Sequence, residues 1–270
     1  VTANDPVVAV VSDGSALPDQ DTHVEHLLRR YSALIHDAAG LSTHVIPLNA
    51  DDPQRLRTAL RGLPPAVGVA FLPHVTADRA HVARLAAGET PVVTDHDTTA
   101  IALTAMVLTT LTRAGRSTGS GRVVIAGADT MPLLSPLLVA AEVGDITTWK
   151  RADAVAFPLH RIATGADVVI DLHGSLTAVN PTATPVVITR QDSRMPLLVL
   201  PGLLRAITQV RHARLDVDVY HACALALVMA TPPELQLPDG PDRALARRVA
   251  DAAIRAFHQT TPRPRDPRFG

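Results

Sequence analysis

The sequence predicts an α/β chain of two lobes, each built on a mainly parallel sheet. Three observations carry this. Short, β-branched apolar runs alternate with longer helical segments along nearly the whole chain. Most of the strand segments are near-continuous apolar runs, as strands are when helices cover both faces of a sheet. A glycine-rich stop at residues 115–121 (GRSTGSG) precedes a strand, a glycine turn and a helix, the unit that opens a second sheet.

Taken in order, the first lobe covers residues 1–97. Its strands are expected at 7–12, 43–48, 67–72 and 91–94, each rich in Val, Ile, Thr or Phe. Helices are expected at 22–39, 53–62 and 77–87, where apolar residues recur at helical spacing. The second lobe covers residues 98–260 and opens with an apolar helix at 98–114. Strands follow at 122–126, 145–149, 167–171, 185–189 and 197–200, and helices at 132–143, 215–229 and 241–258. The segment 232–241, bounded by prolines, separates the last two helices. The Pro- and Arg-rich tail, 261–270, is expected to be extended and poorly ordered.

Composition bounds the function. With 47% hydrophobic and 19% charged residues, the 270-residue chain supports a sizeable core. A net charge of −1 and 3% aromatics offer neither phosphate neutralisation nor stacking platforms, which disfavours nucleic acid. The lone cysteine, Cys223, sits in an apolar run and reads as a buried, inert thiol. One cysteine forms no internal disulfide, and the N-terminus lacks a basic-then-apolar leader pattern, so a cytoplasmic setting is expected. The most apolar stretch, 100–111, is too short for a membrane span. The sole lysine is Lys150.

Residues 122–132 (RVVIAGADTMP) place a glycine turn between strand and helix, the context of a dinucleotide fingerprint, and make the second lobe Rossmann-like. Gly127 serves the tight turn. Asp129 stands where a second glycine admits a pyrophosphate, and Pro132 where a third packs helix on strand. A carboxylate there opposes a phosphate: two like charges at about 4 Å repel by about 4 kcal/mol at an effective dielectric near 20. At the end of the next strand, Lys150 and Arg151 replace the acidic ribose partner. Two readings follow: cations for a 2′-phosphate, so that NAD(P) binds at Gly127, Asp129, Lys150 and Arg151, or a solvated loop on a shell without cofactor.

Several segments in order resemble malic enzymes. Residues 10–15 (VVSDGS) resemble the V-V-[ST]-D-G-[ST] strand end of that family. Residues 37–40 (DAAG) with 45–48 (VIPL) resemble its F-A-G…F-P-I stretch, and 91–100 (PVVTDHDTTA) its P-V-F-H-D-D-Q-H-G-T-A segment with one residue fewer. Residues 166–170 (ADVVI), 200–205 (LPGLLR) and the helix at 215–228 complete the series. The order and spacing cover nearly the whole chain.

The resemblance implies a malic-enzyme-like pair of lobes and, for intact members, oxidation of malate with NAD(P) and decarboxylation on a divalent metal. It also shows what this sequence lacks. The family's basic lysine falls near Tyr31, beside Arg29 and Arg30, and a later lysine falls at His36. Arginine cannot replace that lysine as a base, because it stays protonated. The metal-binding E-D pair matches Pro73 and His74, whereas the third metal carboxylate matches Asp95. The asparagine-bearing stretches fall at 189–193 and 195–198, which hold no asparagine. The family's acid, a tyrosine, precedes the first strand, and the sequence begins six residues before that strand, so this segment is expected to be missing.

The implied reading is a degenerate relative, without malate decarboxylation, that acts by binding a small ligand or a partner protein. The alternative is an NAD(P)-dependent oxidoreductase or lyase with a site rebuilt around Asp95, His96, Asp97 and His74. These should gather at strand carboxyl ends, where an imidazole between carboxylates serves as a base or metal ligand. The bland reading of the same cluster is a polar loop, with Asp97 or Thr98 capping the long helix. His173, after the strand at 167–171, and the i, i+3 pair His23 and His26 read as solvated or locally bonded. Family precedent makes homo- or hetero-oligomers an expectation.

Overall fold

The computed structural model describes residues 6–17, 23–50, 52–174, 176, 185–189, 195–210 and 212–260. The first sheet contains β1 (Val7–Ser12), β2 (Ser42–Pro47), β3 (Val67–Leu72) and β4 (Val92–Thr94), joined through helices α1 (Val24–Ala39), α2 (Pro53–Arg61) and α3 (Ala77–Ala86). After α4 (Asp95–Arg113) come β5 (Arg122–Ala126), α5 (Leu134–Ala140), β6 (Asp145–Trp149), α6 (Leu159–Ile162), β7 (Val168–Asp171) and β8 (Val186–Thr189). Helices α7 (Met195–Gln209), α8 (Val217–Ala230) and α9 (Arg243–Thr260) follow.

Both four-stranded sheets are wholly parallel, with orders β2-β1-β3-β4 and β6-β5-β7-β8. In each sheet the chain moves outward from the first strand to one side, then crosses to the other. The carboxyl ends of β1 and β3, and of β5 and β7, are therefore the two switch points where such sheets bind ligands.

The elements form for the reasons the sequence gives. Helix α1 buries Leu28 and Ile35 and ends at Gly40, whose φ of 71° suits the left-handed cap. Asp52 accepts from the Gln54 N–H and Pro53 opens α2, the usual first-turn position for proline. Helix α4 is buried from Asp97 through Leu111, and it packs against α7, α8 and both sheets within one continuous apolar core. No described helix is long and apolar enough to cross a membrane.

Three of the expected segments differ by more than two residues, or in type, from what forms. Residues 197–200, expected as a strand, lie inside α7; an apolar run of that length does not distinguish a strand from a buried helix. Gly202 lets α7 approach α9, since a Cβ there would lie 2.6 Å from the Ala246 carbonyl oxygen and 2.6 Å from Val249 Cβ. The helix expected at 132–143 shortens to Leu134–Ala140. Helix α4 starts at Asp95 instead of Thr98, because Thr94 is its N-cap. The tail 261–270 and the helix start at residue 22 lie outside the described residues.

Candidate functional site

The carboxyl edge of the first sheet is tightly bonded. Asp13, 2% exposed, follows β1 and accepts from Arg79 Nη1 at 2.6 Å and from the Ser15 N–H at 3.0 Å. Arg79 also donates to the Ala50 carbonyl. The turn after β1 is stitched to the turn after β3: Ala16 N–H donates to the His74 carbonyl and Thr76 N–H to Ser15 Oγ. Asp13 is thereby a latch between loops.

His74 stands at the end of β3 with φ of 54°, a left-handed conformation that costs a non-glycine residue about 1–2 kcal/mol. Its N–H donates to Asp95 Oδ2 at 3.0 Å, which holds the bend. Its ring lies between Tyr31 of α1, whose hydroxyl is 3.3 Å from Nε2, and Asp95, whose Oδ2 is 3.8 Å from Nδ1. When the Tyr31 hydroxyl donates, Nε2 accepts and the Nδ1 proton faces the carboxylate. Tyr31 also packs edge-on against Phe71 at 5.2 Å. Burial, reinforced by the Asp95 charge, pushes the Tyr31 hydroxyl well above its ordinary pKa, so it is a proton donor and not a base. Burial pulls the His74 pKa down, with Asp95 opposing and His96 adding to the fall.

The expected four-residue cluster therefore splits. His74 and Asp95 meet. Asp97 instead closes the capping box of α4: the Thr94 N–H donates to its Oδ2 at 2.9 Å, and Thr94 Oγ1 accepts from the Asp97 N–H at 3.1 Å. Arg84 of α3 pairs with the same Oδ2 at 2.5 Å. His96 Nδ1 is buried without a hydrogen-bond partner among the described residues.

A divalent cation does not fit this edge. Asp95 accepts the His74 N–H at Oδ2 and the His96 N–H at Oδ1, both at 3.0 Å, which leaves one lone pair on each oxygen. Pro73 offers no ligating side chain, and no group of three or more His, Cys, Asp or Glu among the described residues is arranged to hold a metal. Hard cations need six or more oxygens or tightly held waters, and Asp95 alone does not supply them.

The second sheet's edge departs from a phosphate seat. Gly127 follows β5 with φ of 90°, as a tight turn requires. The chain then makes a 3-10 turn at Ala128–Thr130, and α5 begins only at Leu134, so no α-helical N-terminus adjoins the glycine. The space a pyrophosphate would use is taken. A Cβ on Gly127 would lie 2.8 Å from His173 Nε2 and 2.9 Å from its Cε1, so the imidazole lies against the glycine backbone. Asp171, at the end of β7, holds that loop by accepting from the His173 and Leu176 N–H groups. Asp129, Lys150 and Arg151 are all exposed. Lys150 follows Trp149, whose carbonyl accepts from the Gly127 N–H, so it stands at the correct edge without a described ion-pair partner. The turn does not fit a nicotinamide dinucleotide.

A separate cavity of about 810 Å³ opens beside β4, between α3, the start of α4, the turn before α5 and the loop before α8. It takes in His96 and Asp97 but neither Tyr31 nor Asp95. Sequence reasoning passed over Tyr31 as an actor, because it registered only as the position of a lost lysine. It also missed Arg84 and the packing of His173 on Gly127. Neither carries a local signal; both depend on residues from separate loops.

No family model matches the chain, and no curated protein does. Solved structures do. The NAD-dependent malic enzyme of Thermotoga maritima superposes with a TM-score of 0.77 at 17% identity, over 93% of this chain and 84% of that one. The malic enzyme of Pyrococcus horikoshii gives 0.76 at 18% identity, over 96% and 77%. That of Entamoeba histolytica gives 0.77 at 17%, over 95% and 70%. At such identities the likeness speaks for architecture alone, and on that footing the chain has the malic-enzyme fold over nearly its whole length.

Proposed function

We propose that this chain acts by binding a small ligand and does not decarboxylate malate. One observation carries the reading: Asp95, the remaining match to a metal carboxylate, belongs to no group of three or more His, Cys, Asp or Glu placed to hold a cation among the described residues, and each of its oxygens already accepts one backbone N–H. Decarboxylation of a keto acid needs a Lewis acid to take up the enolate charge, and that charge has no seat here. The base is missing as well, since Tyr31 holds its proton and the sole lysine lies beyond β6. A small ligand is favoured over a partner protein because the cavity beside β4 falls within the usual size of ligand pockets.

The test is purified full chain with malate, NAD or NADP, and Mn2+, followed by nicotinamide absorbance. No turnover is expected. Turnover that scales with enzyme and is lost in Asp95→Asn overturns the proposal.

A second reading rests on the Tyr31–His74–Asp95 line, a donor, an imidazole and a carboxylate in series. It makes the chain an oxidoreductase or lyase with Tyr31 as general acid. Under that reading millimolar NAD(P) or Mn2+ raises the melting temperature by mass action. A melting temperature that neither moves counts against it.

A further inference from the structure

We infer that the cavity beside β4 is a binding site for an organic carboxylate with an apolar body, with Arg214 as its anion-reading residue. The inference rests on the binding reading above and names the ligand class. The cavity's volume of about 810 Å³ accommodates a small organic molecule. Its walls are largely apolar, with Val92 at the strand edge, Met131 and Leu133 before α5, and Ala80 on α3. Such walls favour a ligand with a hydrocarbon body over a bare inorganic anion.

The charged groups come two of each sign, and the pairing of Arg84 with Asp97 leaves Arg214 and Glu89. Arg84 and Asp97 neutralise each other on the wall. Arg214 lines the same cavity and makes no hydrogen bond or ion pair among the described residues. A guanidinium in that state presents a planar fork of donors that matches a carboxylate bidentately. The acidic neighbour is Glu89, exposed on the loop before β4. Around these stand the imidazoles of His81, His96 and His212, each able to donate a hydrogen bond. The unpartnered Nδ1 of His96 is a deficit that a turned ring would repair by donating to a bound carboxylate. Arg214 brings donors and no acceptor, and a carboxylate is its complement.

The site shares no residue with the Tyr31–His74–Asp95 line, so the two are separable by mutation. The experiment is calorimetric titration of the full chain with 3-phenylpropionate, its neutral amide, phenethylamine and inorganic phosphate. The carboxylate is expected to bind, and the amide, the amine and phosphate to bind at least tenfold more weakly. Arg214→Gln should weaken the carboxylate by about tenfold or more, the loss of one charge-assisted contact. Glu89→Gln should leave it unchanged or tighten it. Circular dichroism of both variants separates loss of fold from loss of binding. Equal binding of amide and carboxylate, preference for phosphate or the amine, or an Arg214→Gln titration equal to wild type would each overturn the inference. Malate turnover, by contrast, sinks the binding reading whatever these titrations show.

Discussion

The two sheets have the same strand order and the same parallel sense, yet their carboxyl edges have diverged in opposite ways. At the first edge, polar groups are plentiful and bonded to one another: Asp13 to Arg79, Asp95 to the His74 and His96 N–H groups, Tyr31 to His74. At the second edge the polar seat is filled by an imidazole laid over Gly127. One edge has spent its carboxylates on structure; the other has spent its space. Shared topology fixes where a site would be, and the side chains decide whether it stays open.

The comparison is broken most forcefully at Asp13. Asp13→Ala leaves Arg79 without its buried partner and should cost about 3 kcal/mol, towards the low end for a broken buried pair because Arg79 is partly exposed. Urea denaturation measures it; a loss under about 1 kcal/mol would mean the latch is not structural. At the second edge, Gly127→Ala combines a φ of 90° with a Cβ 2.8 Å from His173 Nε2, and should cost about 2 kcal/mol. His173→Ala sharpens the contrast. If the imidazole is what denies the phosphate seat, millimolar NAD raises the melting temperature of that variant and not of the wild type. An equal rise in both would show that the ring does not close the seat.

Smaller effects belong to the His74 bend. Tyr31→Phe removes one hydrogen bond and should cost about 1 kcal/mol, with the Phe71 packing retained. Burial also makes His74 and His221 harder to protonate in the folded chain than in the unfolded one, where histidines titrate near pH 6.5. The unfolded state therefore takes up more protons as pH falls. Stability should be level above about pH 6.5 and decline below it, towards the depressed folded values. His74→Gln combined with His221→Gln should flatten that limb in melting curves recorded across pH; an unchanged limb assigns it elsewhere.

Much of this was legible in the chain. Continuous apolar strands between helices gave both parallel sheets, and the series from VVSDGS to LPGLLR matched the fold that the solved malic enzymes show. Residues 197–200 were misread because Leu and Val in a short buried run suit either element, and only the packing of α7 on α9 and α4 decides. The gathering of His74 with Asp95 followed from strand ends alone. The departure of Asp97 to Arg84 did not, since the arginine comes from α3 and reads as one of many surface cations. The covering of Gly127 by His173 was equally hidden: the two are forty-six positions apart and meet only once β5 pairs with β7.

The claim beneath all of this is that the described residues of the first edge offer no seat for a divalent cation. Titration of Mn2+ into the full chain, with free Mn2+ followed by electron paramagnetic resonance, tests it without assuming a substrate. The account predicts the signal of fully free ion up to millimolar protein. A stoichiometric loss of that signal, abolished by Asp95→Asn, would contradict it.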